Sequence, residues 1–165
     1  MAIRTICQYG EAVLKKKSKV VEKIDHKVLQ LLDDMVDTLD EADGIGLAAP
    51  QVGILKRIVI IDTGDEILEL INPVIKESEG EQHYLEGCLS YPGQFGNVGR
   101  PEKVTVVALN REGEEVVYKE EGLLAVAFCH EIDHLEGDLF FEKVKGKLFS
   151  TEEIAELREK DAGES

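Results

Sequence analysis

His130, Glu131 and His134 stand at the spacing H-E-x-x-H inside the apolar run Leu123 to Leu135. On an α-helix, residues four apart lie one turn apart on the same face, so the two imidazoles can grip one metal ion. Glu131 then points to one side, within reach of a water activated at that ion. The alternative is a pair of core histidines beside a salt-bridged carboxylate. A helix this apolar is buried nearly all round, and burying Glu131, Asp133 and two histidines is expensive without a metal or partners. The motif points to a metal and to hydrolysis. It does not identify a substrate.

A catalytic site of this kind needs a third protein ligand and one position left for water. The longer pattern H-E-x-x-H-x-x-G-x-x-H fails here, because Phe140 stands where its third histidine belongs. A downstream carboxylate is a second route, and Glu152 or Glu153 lies at a suitable distance on what reads as a surface helix. The third route is a thiolate from Cys88, in the segment Glu86-Gly-Cys-Leu-Ser90. Cys7 lies near a terminus. Cys129 precedes His130 by one residue and so points about 100° away on the helix, which suits a small buried side chain.

These residues must be positioned by recognisable elements. Val28, Leu31, Leu32, Met35, Val36 and Leu39 recur at helical spacing, with Asp25 placed to cap the start and Gly44 the end. Arg57 to Asp62 reads as a buried strand, and Glu69 to Asn72, before Pro73, as another. Lys103 to Leu109 and Glu115 to Lys119 read as a hairpin closed over Asn110 to Gly113. The histidine-bearing helix follows and is stopped by Gly137. Thr151 to Lys160 reads as a short polar helix opened by Thr151, and residues 161–165 as a frayed end. The expected fold is α+β: antiparallel strands packed around a central metal-binding helix, with a C-terminal helix, in one domain spanning residues 1–165.

Composition narrows the class further. At 165 residues the chain can fill one core. The net charge of −15 disfavours nonspecific binding to nucleic acid or an anionic membrane. Lys15 to Lys19 is a short basic run, read as a solvated segment. Three widely spaced cysteines make no disulfide framework, and no signal peptide or membrane span is visible. A reducing cytoplasm is the simplest compartment.

Three segments together carry a specific resemblance. Gly44-Ile-Gly-Leu-Ala-Ala-Pro-Gln51-Val-Gly, Glu86-Gly-Cys-Leu-Ser90 and His130-Glu-Ile-Asp-His134 resemble the three signature motifs of the peptide deformylase family, in the family's order. The likeness runs from Ile3-Arg4 to about Phe141. Gly44-Ile-Gly46-Leu-Ala-Ala49 also fits the dinucleotide pattern G-x-G-x-x-A, but that pattern needs a strand before it and a helix after it. Here a helix precedes and Pro50 follows.

The resemblance implies a metal held by Cys88, His130 and His134, with Glu131 as the proton carrier. Gln51 and the backbone N–H of Leu89 would stabilise the oxyanion. It implies Fe²⁺ in cells, with Zn²⁺, Ni²⁺ or Co²⁺ able to occupy the same ligands; spacing alone would favour Zn²⁺. The implied reaction is hydrolysis of the formyl group from the N-terminal methionine of newly made polypeptides. Leu123, Val126 and Ala127, one to two turns before His130, are candidates for the methionine recess. The peptide main chain can pair like an added strand with Ile45 and Gly46 on one side and Glu86 and Gly87 on the other.

The chain departs from the family pattern in three places. Cys129 stands where the family often has Gln, and Phe95 falls where many bacterial members have an arginine. The C-terminal helix, which some members use to dock on the ribosome, is basic in those. Here residues 151–165 hold six acidic and two basic side chains, so docking on ribosomal RNA by that helix is expected to be weak. Asp133, facing away from the metal, is expected to pair with Arg100. A fourth ligand from His83 would instead make a closed, structural metal site.

Overall fold

The computed structural model describes residues 2–163, with side chains to Lys160. Helix α1 (His26–Ala42) begins where the Asp25 carboxylate accepts the Val28 N–H at 3.0 Å. Its apolar stripe, Val28, Leu31, Leu32, Met35 and Leu39, is buried. Gly44 was the expected terminator, but Asp43 takes the left-handed conformation (φ 54°) that closes the helix. Gly44 has a different part: a Cβ there would stand 2.9 Å from a Leu89 methyl, so that side chain would have to shift.

Two sheets follow. The larger has the order β1-β2-β3-β6-β7, all antiparallel, from β1 (Gly46–Ala48), β2 (Ile58–Asp62), β3 (Ile67–Glu79), β6 (Lys103–Leu109) and β7 (Glu115–Glu121). The smaller has the order β4-β5-β8, from β4 (Gln82–Cys88), β5 (Tyr91–Arg100) and β8 (Val144–Ser150). Helix α2 (Leu123–Leu135) lies on one face of the larger sheet and α1 on the other. Alternation along β2 shows this directly. Val59 and Ile61 pack with Phe128, Ile132 and Leu135 of α2, whereas Ile58 and Ile60 pack with Leu32, Met35 and Leu39 of α1.

β3 runs on past Pro73, where a strand was expected to end. The sheet absorbs the proline at a bulge: Ile71 pairs with Leu109 and Val74 with Val107, leaving one extra residue on β3. Asn72 sits there at φ 53°, and its side-chain amide clasps the backbone N–H and C=O of Val21 at 2.8 and 2.9 Å. Helix α2 ends as expected, with Gly137 at φ 79° and Asp138 N–H donating to the Asp133 carbonyl at 3.0 Å. A Cβ on Gly137 would collide with the Lys15 carbonyl, 2.5 Å away. Helix α3 (Thr151–Gly163) is capped by Ser150, one residue before the expected Thr151. The Ser150 hydroxyl accepts the Glu153 N–H, and the Glu153 carboxylate accepts the Ser150 N–H. Of the end expected to fray at 161–165, helical backbone continues to Gly163, and residues 164 and 165 lie outside the described residues.

Candidate metal centre and cleft

Three elements converge on one point. The last turns of α2 carry His130, Glu131 and His134, all buried. The end of β4 carries Cys88, and the single 3-10 turn after β1 (Ala49–Val52) carries Gln51. One ligand atom from each of Cys88, His130 and His134 lies within 4.8 Å of the others. The Cys88 Sγ stands 3.3 Å from His134 Nε2.

The residues present fit a bound cation. A thiol and two imidazoles form a donor set that zinc and iron both accept. Glu86 Oε1 lies 2.8 Å from His130 Nδ1, which leaves the other ring nitrogen for a ligand. Glu131 Oε1 is buried with no hydrogen-bond partner among the described residues, as is Nδ1 of His134. A buried carboxylate oxygen without a donor is strongly disfavoured unless something else is to be held there.

The electrostatics follow from burial. Desolvation pushes Glu131 up to about 7, although His130 and Arg100 oppose it. Burial, with His130 and Arg100 nearby, holds His134 well below the usual histidine value and so keeps it neutral. Burial would raise Glu86, yet its hydrogen bonds to Arg100 and His130 win and hold it below the ordinary carboxylate value.

Gln51 is fixed in one orientation. Its Oε1 accepts the Ala48 N–H at 2.9 Å, which forces Nε2 toward Ser90 Oγ at 3.1 Å and the Cys88 sulfur at 3.6 Å. The amide donor is thereby aimed at the metal site, and the hydrogen bond to its own loop makes it so. Leu89 and Ser90 form the turn between β4 and β5.

A cleft of about 500 Å³ opens beside these groups, lined among others by Ile45, Gly46, Gln51, Leu89, Phe95 and His130. Leu123, Val126 and Ala127 line it from α2, and Glu86 and Gly87 from β4. Among the described residues β1 and β4 each pair on one side only, so each presents a bare edge. Asp62 N–H takes the Ile45 carbonyl at 2.7 Å. The alternation of an antiparallel strand then turns the backbone groups of Gly46 toward the open edge and commits the carbonyl of Ile45 inward. Gly46 must be glycine, since a Cβ would stand 2.7 Å from Glu131 Oε2.

The other candidate ligands stand elsewhere. Glu152 is exposed, and Glu153 pairs with Lys147 at 2.8 Å. His83 is exposed beside Asn97. Cys129 is buried in the core between α2 and the larger sheet. Lys15, Lys16, Lys17 and Lys19 are exposed. The expected partnership of Arg100 with Asp133 is present at 2.5 Å, joined by Lys143 at 2.8 Å. Sequence reading missed the larger part of this network: Arg100 also holds Glu86 through Nε and Nη2, at 2.7 and 2.9 Å. The Glu86 carboxylate is therefore engaged by Arg100 and His130, whereas the expected pairing with a peptide concerns its main chain. Its position two residues from Cys88 on a strand was the available signal, because such residues share a face.

Two imidazoles, one thiol and a buried carboxylate beside an apolar cleft define a metal-dependent hydrolase centre. The sequence matches the family model described as polypeptide deformylase over residues 3–149, and the chain belongs to that family. A peptide deformylase of Acetivibrio thermocellus is 58% identical over 144 residues, covering 87% of this chain and 85% of the relative. One of Caldicellulosiruptor bescii is 56% identical over 158 residues, covering 96% and 95%. Among solved structures, a peptide deformylase from Legionella pneumophila matches with a TM-score of 0.85 at 44% identity, covering 87% of each chain. That from Thermotoga maritima matches with a TM-score of 0.86 at 37% identity, covering 88% of this chain and 100% of that one.

Proposed function

We propose that this chain is a peptide deformylase: a metal-dependent hydrolase that removes the formyl group from the N-terminal formylmethionine of newly made polypeptides and releases formate. The observation that carries the reading is the convergence of Cys88, His130 and His134 within 4.8 Å, with Glu131 buried on the same helix. Family membership supplies the substrate class.

Cys88, His130 and His134 would hold a divalent cation, whose Lewis acidity makes water at the site acidic enough to give up a proton near neutral pH. Glu131 takes that proton as the water oxygen bonds to the formyl carbon, and returns it to the amine nitrogen as the C–N bond breaks. Gln51 Nε2 and the Leu89 backbone N–H donate to the formyl oxygen as charge gathers on it. Val126 and Ala127, buried along the cleft, with Leu123 at its rim, receive the methionine side chain. The free edges of β1 and β4 take the peptide backbone between them, through Gly46 and Gly87. Backbone pairing of this kind tolerates many residues after methionine. A formyl carbon bears only hydrogen, so a narrow site admits it and excludes acetyl.

We take the ion to be Fe²⁺, because the ligand set combines thiolate and imidazole as the family's ferrous site does; metal analysis after anaerobic purification tests this. No helix among the described residues is long and apolar enough to cross a membrane. A cytoplasmic enzyme meeting nascent chains fits the reading, with α3 too acidic to dock on RNA. The deciding experiment measures formate released from formyl-Met-Ala against acetyl-Met-Ala, with Glu131→Gln as control. Release from the formyl peptide alone, lost in the variant, is the expected result.

A further inference from the structure

Gly87 leaves a gap in the side chains of β4, and Phe95 fills it from the neighbouring strand. A Cβ on Gly87 would stand 2.6 Å from the Phe95 ring. The ring, carried on β5, therefore lies across β4 at that point and lines the cleft. Glu86 pairs with Gly96, and Leu85 with Asn97. Side chains alternate along a strand, and paired residues share a face. Phe95 and Leu85 thus stand on one face of β4, while Glu86 and Cys88 stand on the other, turned toward α2. Leu85 lines the cleft too, and 41% of its surface is open to solvent.

This arrangement meets an incoming peptide in a definite order. β4 runs toward Cys88, so a peptide with its formyl group at the metal passes Gly87 first and Leu85 next. Its methionine side chain points to α2, and the following side chain must then point the opposite way. That side is the face made by Phe95 and Leu85. It offers apolar surface and nothing to an acid. Among the described residues no lysine or arginine lines the cleft, and Asp43 stands exposed at its rim.

We propose that Phe95 and Leu85 select the residue after methionine, favouring a large apolar side chain there and disfavouring an acidic one. The inference rests on the deformylase reading, which places the formyl group at the metal and so fixes the peptide's direction. Main-chain pairing gives every sequence a common level of binding. Covering the Phe95 ring and Leu85 adds to it only for side chains that bring apolar surface. A carboxylate there loses water, gains no cation and meets the field of an acidic protein.

The test measures formate release from formyl-Met-Gly-Ala, formyl-Met-Leu-Ala and formyl-Met-Asp-Ala, each amidated at its C-terminus. In the unmodified protein kcat/KM is expected to be about tenfold higher for the leucine peptide than for the glycine one. The aspartate peptide should fall below both. Phe95→Ala should bring the leucine-to-glycine ratio toward one. Phe95→Arg sets a cation beside the second side chain and should raise the aspartate peptide relative to glycine. Ratios taken within one protein do not depend on how much of it is folded. A leucine-to-glycine ratio near one in the parent, or one unmoved in Phe95→Ala, overturns the proposal while the glycine peptide is still cleaved. Formate from none of the three peptides removes the deformylase reading, and this proposal with it.

Discussion

Glu86 and Arg100 form a two-pronged ion pair at 2.7 and 2.9 Å in the interior, both nearly inaccessible to solvent. Oε1 of that carboxylate, which accepts from Arg100 Nη2, also lies 2.8 Å from His130 Nδ1. The His130 ring on α2 is thus oriented from the smaller sheet, through β4 and β5.

Glu86→Gln keeps the shape of that contact and removes its charge. The imidazole loses the partner that fixes its tautomer, and metal affinity is expected to weaken about 10- to 100-fold. Competition with a chelator measures it. Unchanged affinity would show that His130 needs no carboxylate.

Arg100→Ala leaves Glu86 inside with His130 alone and Asp133 at the edge with Lys143 alone. Removing one partner of a buried pair costs about 3–5 kcal/mol. The pH dependence has a definite sign. Glu86 is held below its ordinary value in the folded protein, so its contribution is present above the unfolded pKa and lost as pH falls through the folded one. Without Arg100 the Glu86 pKa rises, and acid unfolding should begin at higher pH than in the parent. Unfolding curves across an acid series check this.

Gly46→Ala places a methyl 2.7 Å from Glu131 Oε2. The carboxylate must move, and kcat is expected to fall toward the loss seen on removing a general base, about 10²–10⁴-fold. Metal content should not change, because the ligands are untouched. Loss of metal in this variant would contradict the assignment of Glu131 as proton carrier only.

Glu131→Gln should abolish turnover and stabilise the metal-free fold at alkaline pH. Burial pushes Glu131 up to about 7, so between the unfolded value and about 7 the folded state binds more protons and stability falls as pH rises. The glutamine escapes that loss, which is on the order of 1–3 kcal/mol above pH 7. Thermal midpoints at pH 5 and pH 8 test it: the gain should appear only at pH 8.

Cys88→Ala should release the metal, whereas Glu152→Ala and Glu153→Ala should keep it and keep activity. Retention of metal by Cys88→Ala would reverse the choice of third ligand.

The parts of this fold that could be read in advance are those with a strong period. The helical spacing from Val28 to Leu39, the H-E-x-x-H pair and the Lys103–Lys119 hairpin all keep one residue type on one face. The smaller sheet escaped because its strands look like turns. β5 carries Pro92, Gly93, Gly96 and Gly99, residues that usually end strands. In the structure those gaps are occupied from neighbouring residues: the Phe95 ring lies where a Cβ on Gly87 would be, and Val144 of β8 fills the place over Gly96. Such compensation is tertiary and leaves no local trace. The His130–His134 pair was legible because a four-residue step along a helix fixes direction; the Glu86–Arg100 pair was not, because thirteen residues of chain lie between its members.

Bare edges on β1 and β4 have a consequence beyond substrate grip. An unpaired strand invites any extended chain, including another copy of this protein, to complete its ladder. β1 limits that hazard by being only three residues long, and an overall charge of −15 keeps like molecules apart. The same openness that welcomes a nascent chain is thus kept from becoming a nucleus for fibres by brevity and repulsion.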